Sequence, residues 1–347
     1  MLLMSVLSSV AWPCAGLFHD TDTLAESDAQ MAIFEATEDG TRVSYQVEYD
    51  GDAADFGWLI PIFGAFVSLE ETDRDRFTNL YDHTQPIVEY FYDDDDGSGG
   101  GLGCGSGAKS GGVLNDRAYD TASNSVDVVA EGFTGSYSYT VLESDSSKDF
   151  LAWLGDNGWS SGGAEGAIDA YIKEGGVQFV AIKLTEAGGD ELPPISVSYS
   201  GDQMRFPATM ARSAMSDTVR TVAFVRGDGT ATISSGWDSE DIDQITGSTA
   251  DSPTHLYDEA LLALGGVQRG YGVVYSGPDE TGAGWVTRFE TLAEPAAHVE
   301  DAVFSVTDSQ SSVHTTVALY ESGGTSHGWM LLPLVALGAG ATRRRWR

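Results

Sequence analysis

The stretch from Phe133 to Leu184 constrains the fold more than any other part of the chain. It reads as strand, helix, loop, helix and strand, with the densest apolar periodicity in the sequence. Two helical apolar stripes lie inside it, formed by Phe150, Leu151 and Leu154 and by Ala167, Ile168, Tyr171 and Ile172. The stretch contains no His, no Cys and no carboxylate cluster, so it predicts a packed core and not a reactive site.

Short strands are predicted on both sides of this unit. Residues 30–49 read as a hairpin, because apolar and polar residues alternate on either side of a turn at Glu38-Asp39-Gly40. Ser68 and Glu71 form a capping-box pattern that predicts a helix after them, and residues 86–92 read as a strand. A second hairpin is predicted around residues 226–229, Arg-Gly-Asp-Gly, in which the adhesion-like tripeptide serves as a turn.

The pattern as a whole predicts an α+β fold of mostly antiparallel sheet lobes, the central strand-helix-helix-strand unit, a flexible Gly/Asp loop and a C-terminal hydrophobic helix. We expect five segments, which are a signal peptide at 1–11, an N-terminal β-rich lobe at 12–92, a flexible acidic and Gly-rich loop at 93–125, a main lobe at 126–321 and a tail at 322–347.

Acidic residues outnumber basic ones by 53 to 18, which gives a formal net charge of −35. The acidic body is repelled by nucleic acid and by anionic lipid surfaces, so nucleic acid is not an expected partner, and contact with a membrane is expected only through the C-terminal tail. The acidity suits a protein that stays soluble in a salty medium, where counterions screen self-repulsion. A specific role in binding cations is the alternative.

Both ends of the chain predict export. Residues 1–11 are apolar and end in Ser9-Val10-Ala11, a small-x-small pattern typical of a signal-peptide cleavage site before Trp12. Near the other end, Gly323 and Gly324 precede an apolar stretch at 328–342, which is followed by four arginines, Arg343, Arg344, Arg345 and Arg347. That order resembles the C-terminal sorting tails of bacterial surface proteins of the GlyGly and myxobacterial types, and a plain single-pass anchor is the alternative. We expect a membrane-anchored body outside the cytoplasm.

Two further features involve residues before the main lobe. Cys14 and Cys104 are the only cysteines, and in an exported protein they favour one disulfide, with two lone buried thiols as the alternative. Asp93, Asp94, Asp95 and Asp96 form an acidic run that invites a calcium site. The EF-hand spacing fails there, because Gly103 stands where the last Glu ligand belongs, so a solvated charge run is the simpler interpretation.

Catalytic motifs are largely missing. Residues 158–162 fit G-x-S-x-G around Ser160, but a helix precedes them where a nucleophile elbow needs a strand. The six His are scattered without zinc spacing, and no phosphate-binding loop is present, so we expect no cofactor. Five tryptophans are candidates for a binding groove or for the core, namely Trp58, Trp153, Trp159, Trp237 and Trp285.

The chain resembles the bacterial exported proteins grouped as domain of unknown function 2330. The motifs that carry the resemblance span about residues 14–310 and are residues 14–18 (CAGLF), 55–61 (DFGWLIP), 154–159, 171–184, 194–207 and 286–289 (VTRF) followed by Glu300 and Asp301. Family members usually carry two glycines after the first Cys, whereas Ala15 and Gly16 follow Cys14 here. The resemblance implies an exported, envelope-associated protein and brings no known activity, cofactor or catalytic residue.

The preferred function is therefore an envelope-anchored binding or structural module without enzymatic activity, whose envelope or extracellular ligand is unknown. A hydrolase of envelope polymers that uses carboxylates such as Asp55 or Asp301 is one alternative. A calcium-dependent adhesin that uses Asp93 to Asp96 is the other.

Overall fold

The computed structural model of the chain describes residues 16–18, 29–46, 57–92, 126–185, 192–215, 218–267, 269–282 and 284–321. The strands are β1 (Gly16–Phe18), β2 (Ala29–Thr37), β3 (Gly40–Gln46), β4 (Gly57–Ile62), β5 (Phe66–Glu71), β6 (Ile87–Phe91), β7 (Val126–Thr134), β8 (Tyr137–Ser144), β9 (Gln178–Leu184), β10 (Ile195–Tyr199), β11 (Met204–Phe206), β12 (Val219–Gly227), β13 (Ala231–Ser235), β14 (Asp238–Asp241), β15 (Gln244–Ser248), β16 (Gly270–Pro278), β17 (Trp285–Ala293), β18 (Ala302–Val306), β19 (Val313–His314) and β20 (Thr316–Tyr320). The helices are α1 (Asp75–His83), α2 (Ser147–Asp156), α3 (Glu165–Glu174), α4 (Ala208–Ala211) and α5 (Pro253–Val267), with 3₁₀ turns at Arg212–Ala214 and Pro295–Ala297.

The predicted α+β class is wrong, because the fold is mostly β. Strands hold 49% of the described residues and helices only 22%. The apolar periodicity at 147–174 and 253–267 is clear in the sequence and therefore overstates the share of helix in the fold. In the structure these helices are short connections that cover sheets, and the sheets supply the framework.

The main sheet has nine strands. Its order is β14-β16-β17-β12-β2-β3-β10-β5, with β19 pairing beside β16. A parallel pair joins β12 to β2 at its centre, and the β2–β3 hairpin has the turn that the sequence predicted. Strands from both sides of residues 93–125 contribute to this sheet, while the predicted segment boundaries themselves stay a prediction.

Three smaller sheets surround the main one. Their orders are β1-β4-β9-β8-β7, β11-β18-β13 and β15-β20-β6. The predicted strand-helix-helix-strand unit is present as β8, α2, α3 and β9, and its two strands are antiparallel neighbours. Helix α2 of this unit is capped at its N-terminus, where the Ser146 hydroxyl accepts a hydrogen bond from the Asp149 amide (3.3 Å).

Aromatic contacts join one face of the main sheet to two of the smaller sheets. The rings of Tyr45 and Trp58 meet edge-on at 5.8 Å, which links β3 to β4. Phe304 of β18 contacts both Phe34 and Phe289 of the main sheet at 5.1 Å. This interface is the largest hydrophobic core of the described residues, and dispersion together with loss of water contact stabilises it.

The opposite face of the main sheet is covered by α1 and α5. Phe77 and Leu80 of α1 pack on Ile33, Val222 and Phe224. Helix α5 fills the space between the main sheet and the small β15-β20-β6 sheet through Tyr257, Leu261 and Leu264, which contact Val274, Val317 and Leu319. Strand β6, at the edge of that small sheet, is exposed along its whole length.

The expected C-terminal hydrophobic helix is not supported. No helix in the described ranges is long and apolar enough to cross a membrane. The tail at 322–347 lies outside the described residues, as do the signal-peptide segment 1–11 and the loop at 93–125.

The hairpin predicted around residues 226–229 is also wrong. Strand β12 pairs with β17 and β2, whereas β13 pairs with β18 of another sheet. Gly229 permits this change of sheet, because a Cβ atom there would lie 2.2 Å from the Thr307 carbonyl oxygen. Arg226 is not presented to solvent as an adhesion motif requires, since it forms ion pairs with Glu35 (3.1 Å) and Asp279 (2.7 Å).

His298 is a fully buried titratable group behind the last 3₁₀ turn. Its Nδ1 atom donates to the Glu294 carbonyl oxygen (3.1 Å), and the Trp237 ring lies edge-on at 5.2 Å. Its Nε2 atom has no hydrogen-bond partner in the described structure. Burial, with a smaller effect from Arg212, lowers the pKa of His298 to about 4, so the imidazole is neutral at physiological pH.

We predict that His298 makes the protein acid-sensitive. Between the ordinary pKa of 6.5 and the folded pKa of about 4, the unfolded chain binds a proton that the folded chain does not. Stability is therefore lost as pH falls through this window, by about 2 kcal/mol at pH 5 from this group alone. Urea unfolding of His298→Gln at pH 7.5 and 5 should show a smaller loss than wild type, whereas His255→Gln, at an exposed site, should lose as much as wild type. An equal loss of stability between pH 7.5 and pH 5 in all three proteins would contradict the role of His298 in acid sensitivity.

Candidate functional site

Exposed apolar side chains are concentrated at one edge of the small β15-β20-β6 sheet. Of the eleven large hydrophobic residues that are exposed among the described ones, six belong to this place. We call them the edge patch, which consists of Ile87, Val88, Tyr90, Phe91, Tyr92 and Tyr320, with exposures of 41–59%. Monomeric proteins rarely leave such a contiguous apolar surface uncovered, so the edge patch is the leading candidate for a binding surface.

The aromatic rings of the edge patch form two stacks. Phe91 and Tyr320, which are register partners on β6 and β20, lie 4.9 Å apart with an interplanar angle of 13°. The rings of Tyr90 and Tyr92 lie 6.3 Å apart at 10°. Since side chains alternate along a strand, the two stacks lie on opposite faces of the sheet. The patch therefore wraps around the edge of the sheet.

Strand β6 also presents free backbone groups. It is the last strand of its sheet in the described structure. The Ile87 amide donates to the Thr315 carbonyl (2.9 Å), and the Phe91 carbonyl accepts from the Glu321 amide (3.0 Å). In parallel pairing, the residues between these two alternate in direction. Val88 and Tyr90 therefore direct their N–H and C=O groups away from β20, toward the outer edge.

A buried arginine fixes the segment that leads into β6. Arg288 of β17 donates through Nη1 to the Thr84 carbonyl (3.2 Å) and to the Thr84 hydroxyl (3.3 Å). Its guanidinium lies 4.3 Å from the Tyr81 ring, a favourable cation–π geometry. His314 Nε2 donates to the next carbonyl, that of Gln85, at 2.8 Å. Together these bonds fix the end of α1 and the start of β6.

Arg288 is held in turn by Glu290, and both side chains are completely buried. Glu290 accepts from Arg288 Nε (3.0 Å), from the Tyr257 hydroxyl (2.9 Å) and from Arg220. Burial by itself would raise the pKa of Glu290, but the charges of Arg288 and Arg220 hold that pKa below its ordinary value. Burial likewise raises the pKa of Tyr257, and the Glu290 carboxylate adds to this effect. Arg288 and Glu290 are thus both charged, and their hydrogen bonds stabilise the fold.

The carboxylate Asp301, which the sequence analysis named for a hydrolase, is engaged in the same way. Its Oδ2 atom accepts from the Tyr171 hydroxyl (2.7 Å) and from Arg205 Nε (2.8 Å). Its Oδ1 atom accepts from the Thr209 amide (2.9 Å) and hydroxyl. All four lone-pair positions are used to join α3, β11 and α4, which leaves no oxygen for proton transfer to a substrate. The other named carboxylate, Asp55, lies outside the described residues.

Those remaining sequence candidates that the structure describes do not assemble into a site. Ser160 lies in the loop between α2 and α3, and its hydroxyl accepts from the Gly162 amide (3.4 Å), with no described His bonded to it. The five tryptophans are buried or half-buried and form no exposed groove. Several named residues lie outside the described ranges, namely Cys14, Cys104, Asp93, Asp94, Asp95, Asp96, Gly323, Gly324, Arg343, Arg344, Arg345 and Arg347. Within the described ranges, no group of His, Cys, Asp or Glu has the arrangement of a metal site.

Comparison with known families gives one match, to an uncharacterized protein family conserved in bacteria, DUF2330, over residues 8–225. The chain belongs to DUF2330. The match includes all of β6 but ends before β17 and β20, which hold and pair with β6 in the structure. It also ends before the motifs at 286–289 and 300–301 that contributed to the resemblance noted in the sequence.

No curated protein matches this DUF2330 chain. Among solved structures, a mutated baculovirus P35 after caspase cleavage is similar at 9% identity, covering 82% of this chain and 99% of that chain, with a TM-score of 0.30. Baculovirus P35 itself is similar at 10% identity, covering 89% and 99%, with a TM-score of 0.28. TM-scores this low do not establish a shared fold.

We predict that Arg288→Met lowers the free energy of unfolding by about 3 kcal/mol, because it leaves Glu290 buried with less compensation. The double variant Arg288→Met/Glu290→Leu should be less destabilised than the single one, since it removes the orphaned charge as well. Lys173→Met, which breaks an exposed pair with Asp169, should change stability by less than about 0.5 kcal/mol. Urea unfolding measures all three. If Arg288→Met leaves the free energy of unfolding unchanged, the Arg288–Glu290 network does not stabilise the fold.

Proposed function

We propose that this DUF2330 protein is an exported, non-enzymatic binding module that engages another polypeptide through the edge patch. The observation that carries the proposal is the exposure of six large apolar side chains at one edge of the small sheet, four of them on the edge strand β6. An apolar edge of this kind is an aggregation hazard unless a partner covers it.

The arrangement of the charged groups supports a binding role over a catalytic one. The buried carboxylates Glu290 and Asp301 each accept hydrogen bonds from several internal donors. An acid–base catalyst needs a carboxyl group within reach of its substrate, and these two are occupied inside the protein. The edge patch, by contrast, contains only side chains suited to contact and not to chemistry.

Export is supported by the apolar residues 1–11 and by their small-x-small ending before Trp12. A net charge of −35 also suits a protein that works in a medium rich in counterions. The calcium-dependent adhesin remains a prediction from the sequence, since Asp93 to Asp96 are not among the described residues.

In-cell photocrosslinking tests the proposal. A photoreactive phenylalanine analogue at Tyr92 should give a covalent adduct with a protein partner in the native bacterium. The same analogue at Leu262, an exposed apolar position on α5 outside the patch, should give none. The intact mass of the unconjugated protein should begin near Trp12 if the chain is exported.

Adducts at both positions, or at neither, would contradict binding through the edge patch. A mass that retains residues 1–11 would contradict export without bearing on the patch.

A further inference from the structure

We infer that the edge patch binds its partner as an added β-strand, and that this partner segment is extended and cationic. The inference rests on the proposed function, because it names the mode and the chemistry of binding at the same patch. Three independent features support it, namely the backbone of β6, the placement of its side chains and the charge of the chain.

The backbone of β6 is ready for pairing. Val88 and Tyr90 direct N–H and C=O groups toward the outer edge, as the two bonds at Ile87 and Phe91 require. The register with β20 runs from Ile87 to Phe91 without a bulge, so the outer hydrogen-bonding row is regular. A regular open row of this kind is the template that strand-addition domains offer to extended peptides.

Two other edge strands in the described structure, β7 and β14, carry protection that β6 lacks. Strand β7 has a register shift between Val128 and Ala130. The turn that follows β7 is held by Glu71, which accepts a hydrogen bond from the Ser136 amide. Strand β14 is only four residues long and carries three acidic side chains. Strand β6 contains neither Pro nor Lys, and its sole charged residue is Glu89. Proteins normally protect exposed edge strands against pairing with other chains. The lack of such protection on β6 therefore indicates an edge that pairs with a partner.

The side chains fit an alternating partner. Ring stacks on opposite faces of β6 flank the open row, with Tyr90 and Tyr92 on one face and Phe91 with Tyr320 on the other. An added strand also sends successive side chains to opposite faces. Residues of the added strand therefore meet apolar neighbours on both faces of β6, except opposite Glu89, where a cationic side chain is favoured.

The negative charge of this protein favours a cationic segment as the extended partner. The chain has a net charge of −35, and three arginines of the main sheet and α1 are already paired inside the protein, since Arg76 and Arg226 pair with Glu35 and Arg220 pairs with Glu290. Close to the edge patch, Glu89 and Glu321 are exposed. A cationic segment is attracted to this surface, whereas a second copy with the same charge of −35 is repelled. The occupant is therefore a basic polypeptide and not another copy of this chain.

The test uses a fluorescent synthetic peptide of about ten residues with alternating Val and Lys, and the full mature protein. Val88→Pro removes an outward N–H while the bonds to β20 stay in place, a substitution that edge strands tolerate. It should weaken peptide binding about tenfold or more, whereas Val88→Thr should stay within about twofold of wild type. A peptide that is N-methylated on alternate residues should bind more weakly than its parent, which tests backbone pairing without altering the protein.

The outcomes separate the two proposals. If Val88→Pro and the methylated peptide bind normally while Tyr90→Ser/Tyr92→Ser binds poorly, strand addition is overturned and the patch remains a binding surface. If every variant binds like wild type, the patch is not the site and both proposals fall. If a Glu/Val peptide binds as well as the Lys/Val peptide, the cationic assignment is overturned. A dimer in solution that Val88→Pro dissociates would overturn the assigned occupant.

Discussion

The buried contact between Arg288 and Glu290 is the interaction on which the surface of this protein depends. Two opposite charges lie fully out of water and two positions apart on β17. Isolating either charge would cost several kcal/mol, so the packing of α1 and α5 on this face of the main sheet depends on a complete network. Arg220, Tyr257 and Thr84 complete it, and each comes from a different element.

That network gives the exposed strand its position. Arg288 contacts the last turn of α1, and the chain enters β6 three residues after Thr84. A hydrophobic edge strand would ordinarily be mobile or would collapse onto the body. Here its start is fixed by hydrogen bonds to a buried charge, and α5 supports its sheet from behind. An edge held in place in this way loses little conformational entropy when a partner pairs with it.

The sequence predicted much of the framework and little of the site. The strand-helix-helix-strand unit, the β2–β3 hairpin and the strand at residues 86–92 all follow from periodicity. Local sequence patterns gave wrong predictions where pairing between distant strands determines the secondary structure. The capping-box pattern at Ser68 and Glu71 lies within strand β5, because β10 pairs with that segment and the following helix begins only at Asp75.

The edge patch could not be recognised from the sequence, because alternating or continuous apolar residues predict a buried strand. Only the topology shows that β6 ends its sheet and lies in solvent. The same limit applies to the ion pairs. Arg220 and Glu290 are 70 positions apart, so nothing local to either residue indicates that they meet.

Amide hydrogen exchange of β6, measured by NMR with and without the Val/Lys peptide, shows whether a partner pairs with this strand. We predict that the amides of Ile87, Glu89 and Phe91 are protected in the free protein, because they face β20. Those of Val88 and Tyr90 should exchange quickly when the protein is free and become protected when the peptide is bound. Fast exchange at Val88 and Tyr90 in the bound state would contradict strand addition, and protection of these two amides in the free protein would show that the edge is already paired.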